Sequence, residues 1–135
     1  MSFHMKQQLA QISVSDHLLR ALSTLNYQYE LHAQPVEVRG FDQEILETHC
    51  QIVIRRETTK LGADIGFYQD ENGIFNLVSD SFANRNLPEF MQALKRTYEE
   101  EQALDRARQL GYQLESRGEW VEIEGKRYAR MLLTQ

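Results

Sequence analysis

Asp64-Ile65-Gly66-Phe67-Tyr68-Gln69-Asp70-Glu71-Asn72-Gly73-Ile74-Phe75-Asn76-Leu77-Val78-Ser79-Asp80 reads as two short strands folded about Asn72-Gly73. Asn-Gly between apolar runs is the strongest short-range signal for a β-hairpin. The reason is steric: a tight turn needs positive φ, which Gly adopts freely and Asn tolerates. The hairpin predicts that the remaining strands pair beside it and the helices pack on it. Ile65 and Phe67 share one face of the first strand. Whether Phe75 and Leu77, or Ile74 and Val78, join that face depends on the turn length, because a one-residue slip inverts every side chain.

Upstream, Gln51-Ile52-Val53-Ile54-Arg55-Arg56 is a strand with three β-branched residues in succession. Apolar groups on both faces predict a central position. Phe41 to His49 fits a helical turn or a polar loop. Val36-Glu37-Val38-Arg39 is a short strand closed by Gly40. Tyr27, Tyr29 and Leu31 alternate with polar residues, the period of a half-buried strand, until Pro35 interrupts. Leu18, Ala21, Leu22 and Leu25 recur at helical spacing from about Asp16. Ser13 and Ser15 are the candidate caps, and Asn26 the stop.

Downstream, Pro88 suits the first turn of a helix. Phe90, Met91, Leu94 and Tyr98 form one apolar stripe; Ala103, Leu104, Ala107 and Leu110 form another, facing nearly opposite. A straight helix cannot lay both on one sheet. Either the chain breaks near Glu99-Glu100-Glu101 and turns the second stripe onto the sheet, or Leu104, Ala107 and Leu110 form a surface for a protein partner. Gly111 marks the end of the helix. Three strands follow, at 112–116, 119–124 and 127–133, separated by Gly118 and Gly125 and predicted to form a meander.

The two halves resemble each other. Leu25-Asn26-Tyr27-Gln28-Tyr29-Glu30 matches Leu110-Gly111-Tyr112-Gln113-Leu114-Glu115, and at the same offset Val36-Glu37-Val38-Arg39-Gly40 falls on Val121-Glu122-Ile123-Glu124-Gly125. The fold class that follows is α+β, one domain over 1–135. It has a single antiparallel sheet with helices packed on one face, and a pseudo-duplication of a helix-plus-meander unit is open.

The chain has 135 residues, 41% hydrophobic and 26% charged, with a net charge of -5. An acidic balance gives no general attraction to phosphate backbones or anionic membranes, so nucleic acid is disfavoured as a partner. No run is apolar enough to span a bilayer, and the start lacks the pattern of a secretory signal. Cys50 stands alone, which excludes an internal disulfide and suits a reducing compartment.

At several places the sequence matches a known pattern: Met1-Ser2-Phe3-His4, Val38-Arg39-Gly40-Phe41, Gln51 to Arg56, Asp64-Ile65-Gly66-Phe67, Asn72-Gly73-Ile74-Phe75, Ser79-Asp80, Tyr98 and Gly111-Tyr112. It resembles the small reading-frame family of cyanobacteria and plastids called ycf thirty-five, a domain-of-unknown-function family. Two departures mark it as divergent. The family usually places an apolar, Trp-containing turn after Asp80, where Ser81-Phe82-Ala83-Asn84 stands, and His then Phe at the start, where Phe3-His4 stands. The resemblance implies a protein of a photosynthetic cell, in the cyanobacterial cytoplasm or plastid stroma. It carries no catalytic residue and no cofactor.

Candidate chemistry is sparse. His4, His17, His32 and His49 show no ligand spacing, so no metal site is expected; His49-Cys50 on a strand would point to opposite faces. Asp64 and Asp80 bracket the hairpin, and pairing would bring them close. Two near carboxylates share a proton or hold a cation, or else cap turns and pair with Arg39, Arg55 or Arg56. No phosphate loop and no nucleophile-base spacing appears. Arg55-Arg56, Lys60, and Lys126-Arg127 with Tyr128 and Arg130 are basic clusters that would suit RNA if they lined one sheet face. The expected function is therefore a non-enzymatic accessory or assembly protein acting through protein contacts, self-association included. The alternatives are a small enzyme or ligand binder using Asp64, Asp80, Arg39 and Arg55, and an RNA-binding module.

Overall fold

The computed structural model describes residues 4–58, 62–81, 83–84, 86–111, 113–123 and 126–134, and the backbone alone for His4 and for 113–134. It is an α+β fold. Five strands form one antiparallel sheet: β1 (His4–Gln8), β2 (Glu30–Val36), β3 (Cys50–Ile54), β4 (Ile65–Gln69) and β5 (Phe75–Asp80), in the order β1-β5-β4-β3-β2. The helices are α1 (Ser15–Thr24) and α2 (Leu87–Gln109). Strands β6 (Gln113–Ile123) and β7 (Lys126–Thr134) pair with each other as a separate two-stranded ribbon.

The hairpin is β4-β5; β4 is the central strand, with β5 and β3 on its two sides. Its turn is not the two-residue kind that Asn72-Gly73 suggests. The Gly73 N–H reaches the Asp70 carbonyl and the Asp70 N–H the Ile74 carbonyl, each at 2.9 Å. Gly73 alone takes positive φ, at 81°. This is a three-residue loop ending in a left-handed Gly. The Asp70 carboxylate knits it, accepting the N–H groups of Asn72 (2.9 Å) and Ile74 (3.0 Å). The longer loop settles the register: Phe67 pairs with Leu77 and Gln69 with Phe75, so Phe75 and Leu77 join Ile65 and Phe67 in the core.

β2 runs through Pro35 instead of ending before it. β2 is an edge strand, and its ladder with β3 shifts register between Leu31 and Val36. A missing N–H is tolerated at such a place. β1 has no apolar alternation and is absent from the sequence reading; it completes the sheet at the other edge by pairing with β5.

α1 buries Leu18, Ala21 and Leu22 on the sheet. Its end is as the sequence predicts: Asn26 has φ 66°, and the N–H groups of Asn26 and Tyr27 cap the carbonyls of Ser23 and Leu22. Its start is not capped by Ser13 or Ser15. Val14 is the capping position, with no side-chain cap.

α2 is uninterrupted, and this corrects both options for its two stripes. Phe90, Leu94 and Tyr98 enter the core with Ile54, Ile65 and Phe67. Ala103, Leu104 and Ala107 are also buried, without a break at Glu99 to Glu101. α2 contacts α1 as well as β6 and β7, so its two sides find cover in one chain. The predicted three-strand meander is two strands. β6 continues through Gly118, with a register shift between Gly118 and Trp120, the place a bulge takes a glycine. The shared sheet expected of a duplication is not there: the strand after α1 enters the main sheet, and the strand after α2 enters the ribbon.

Candidate functional site: a loop held by two buried carboxylates

Helices cover one face of the sheet. On the other face lies the connection from β2 to β3, residues 37–49; the sequence reads Val36 to Arg39 as a short strand and leaves Phe41 to His49 between helical turn and loop, but β2 ends at Val36. It is a loop folded back on itself. Arg39 and Ile45 form an isolated antiparallel bridge, and the Leu46 N–H donates to the Val38 carbonyl at 2.8 Å. Val38 and Leu46 pack with Cys50, Val53 and Val78 in a second small core, distinct from the one beneath the helices. The loop comes close because Gly66 stands under it. A Cβ there would lie 2.6 Å from Val38 Cγ2 and 2.7 Å from Cys50 Sγ, closer than side chains approach.

Asp64 and Asp80 sit where the sequence places them, at the shared end of β4 and β5, since Ile65 pairs with Ser79. Both are buried, Asp64 at 2% and Asp80 at 0% exposure. Asp64 Oδ2 accepts the Arg39 N–H (3.1 Å) and Arg55 Nη1 (2.8 Å), and Oδ1 accepts the Arg56 N–H (3.0 Å). The Asp64 N–H returns a bond to the Arg39 carbonyl at 3.0 Å. Asp80 Oδ2 accepts the Phe41 N–H (3.0 Å), and Oδ1 the Ala83 N–H (3.4 Å). Both carboxylates thus spend acceptor positions on main-chain donors of the 37–49 loop.

The arginines divide differently from expectation. Arg55 is the charge partner of Asp64, and it also donates to the Glu37 carbonyl (2.9 Å) and to Glu30 Oε1 (3.1 Å). Burial works against the Arg55 charge, but the hydrogen bond and field of Asp64, then of Glu30, outweigh it and raise its pKa above the ordinary value. Glu30 is held below its ordinary value, first by the hydrogen bond from His32. Arg39 serves through its backbone; its guanidinium is on the surface, 2.7 Å from Glu37. Arg56, only grouped among possible partners in the sequence, donates to the Phe41 carbonyl at 2.9 Å.

The loop held this way carries two large apolar side chains outward, Phe41 at 46% and Ile45 at 57% exposure. Sequence reading did not single them out, because apolar residues in an unassigned stretch give no period. It also passed over Asn84, which is buried and bonds Gly62 N–H, Ala63 carbonyl and Ser79 Oγ, fastening the segment after β5.

Other candidates fare as follows. Cys50 is fully buried, and burial pushes its thiol up to about 12. His17 lies 3.2 Å from Asp105 on α2, and among the described residues no group of three or more His, Cys, Asp and Glu is arranged to hold a metal. An open groove of ≈ 530 Å³ runs beside α1, lined by Asp16, Arg20, Thr24, Tyr29 and Glu101 among others, away from Asp64 and Asp80. Leu104 and Ala107 are each 2% exposed and Leu110 43%, so the three do not make the free face expected of a partner surface. The side chains of Lys126, Arg127, Tyr128 and Arg130, and all of Lys60, lie outside the described residues. No helix among the described residues is long and apolar enough to cross a membrane.

An open five-stranded antiparallel sheet, two helices on one face and a carboxylate-held loop on the other define a small α+β domain whose buried charges fasten backbone. The chain belongs to the family described as protein of unknown function (DUF1257), which matches residues 21–125 and so takes in both the loop and the hairpin. No curated protein and no solved structure gives a significant match.

Proposed function

We propose that this chain is a non-enzymatic accessory or assembly protein that acts through protein contacts in a photosynthetic cell, in the cyanobacterial cytoplasm or the plastid stroma. The observation that carries the contact role is the exposure of Phe41 and Ile45 on a turn whose backbone is fixed from below by Asp64, Asp80 and Arg56. An aromatic and an aliphatic group offered on ordered backbone lose little further freedom on binding, which favours affinity. The cellular setting follows from the resemblance to the plastid and cyanobacterial family. The partner is a protein, a second copy of the chain included.

A small enzyme or ligand binder around Asp64, Asp80 and Arg55 has less support. Its carboxylates are engaged by main-chain N–H groups of the loop. RNA binding is disfavoured by the net charge of -5.

The test is affinity capture from native cells with the parent and a Phe41→Ser/Ile45→Ser double variant of unchanged circular dichroism. The parent should retain a stoichiometric protein that the variant loses. Equal capture by both would remove the turn from the contact, and capture of RNA sensitive to salt would favour the nucleic-acid alternative.

A further inference from the structure

The 37–49 loop is ordered in its closed form, yet its attachment lets it leave the sheet in one piece. Its two ends meet, since Val36 pairs with Cys50, so lifting it does not pull the sheet apart. Compact loops with adjacent ends are self-contained units of this kind. Within it, Val38 and Leu46 are the buried apolar side chains; the main core on the opposite face does not include them. Its hold on the sheet includes separate polar fastenings: Asp64 on both the N–H and the carbonyl of Arg39, Asp80 on the Phe41 N–H, and Arg55 and Arg56 on the carbonyls of Glu37 and Phe41. Gln43 takes φ 66°, which costs a non-glycine residue conformational energy in the closed form.

We propose that residues 37–49 form a strap that swings off its sheet face as a unit, hinged at the Val36–Cys50 pair, while the five-stranded sheet and both helices stay folded. Local opening below the free energy of global unfolding is the general behaviour of segments with few buried apolar contacts. Opening uncovers Val53, Val78 and the Cys50 thiol, which the closed strap hides. The thiol is thereby a built-in reporter, because Cys50 is the sole cysteine and burial is what suppresses it.

The experiment is alkylation of Cys50 in the intact chain by iodoacetamide under native conditions, against urea concentration. In the parent, labelling should proceed through an opening with little urea dependence. Asp80→Ala, which removes one fastening, should speed it at least tenfold. Tyr98→Phe, which loosens the helices and leaves the strap alone, should label at the parent's rate. If all three label in proportion to their global unfolding equilibria, the strap does not open separately. Should Asp80→Ala fail to fold, amide exchange of the parent decides. The amides of Arg39, Phe41 and Leu46 should exchange together, with a shallower urea dependence than the amides of the β4-β5 ladder. A common free energy and slope for both sets would overturn the proposal.

Discussion

The hydroxyl of Tyr98, midway along α2, accepts the backbone N–H of Val14 at 3.1 Å and that of Ser13 at 3.3 Å, just before α1 begins. One helix therefore anchors the chain that leads into the other. The N–H groups it takes are those of Val14, the capping position, and of the residue before it; they precede the first turn, where a Ser or Asp cap would act. Tyr98→Phe keeps the ring in its edge contact with His17 and removes only the oxygen. It should cost about 1–3 kcal/mol, read from the urea midpoint at unchanged slope. Ser13→Ala, one of the two candidate caps in the sequence, should change stability by less than about 0.5 kcal/mol.

Gly66→Ala should destabilise by about 1–3 kcal/mol, the range for overpacking a close contact. The added methyl meets Val38 Cγ2 and Cys50 Sγ. Combining it with Val38→Ala should recover part of the loss, a coupling that a double-mutant cycle in urea would measure. Simple additivity would show that the strap does not rest on Gly66.

Gly73→Val tests the turn. A Cβ at Gly73 finds its nearest neighbour at 3.9 Å, so the space is open and the penalty is conformational. A β-branched residue at φ 81° should cost about 1–3 kcal/mol in thermal or urea unfolding. Gly73→Asn should cost less, since Asn tolerates that region.

Asp70 gives a pH signature. The Ile74 N–H first, then the Asn76 amide, hold its carboxyl below the ordinary value of 3.8. A carboxyl whose folded pKa is depressed contributes stability above its unfolded pKa and loses it as pH falls through the folded one. The stability gap between parent and Asp70→Asn should therefore be widest at neutral pH and should narrow below about pH 3.8. A gap constant with pH would assign the effect to the loop backbone.

Leu104→Glu should now unfold the chain, not detach a partner. Leu104 is 2% exposed. Truncating such a leucine costs about 2–5 kcal/mol, and burying an unpaired carboxylate adds to that. Far-UV circular dichroism of the variant checks this; a folded variant with altered sedimentation would restore Leu104 to a partner surface.

The strands and helices with strong periods were legible: the β4-β5 pair from its alternation about a glycine, β3 from its β-branched run, α1 from Leu18, Ala21 and Leu22, with Asn26 closing it. The failures share a cause. β1 is polar because it is an edge, so its pairing leaves no apolar period. The strap is read only through long-range contacts, Gly66 under Val38 and Asp80 on Phe41, which no local window contains. The sequence leaves α2 either to break or to meet a partner, because one sheet is taken as its only cover; α1 and the ribbon supply two more sides. Asp64 lies beside Arg55 as the sequence suggests, and Asp80 sits at the same end of the hairpin. Their task as backbone acceptors was not legible, since a carboxylate's partner depends on which N–H groups the loop delivers.

The main sheet ends at β1 on one side and β2 on the other. Exposed edges of this kind invite pairing with a neighbouring molecule. On β2 the register shift between Leu31 and Val36 and the missing N–H of Pro35 spoil the row of donors that a foreign strand would need. β1 is five residues long and carries Lys6, whose ammonium lies over the Tyr68 ring, in its middle. Irregularity on one border and a short, charged strand on the other act against edge-to-edge pairing through the main sheet.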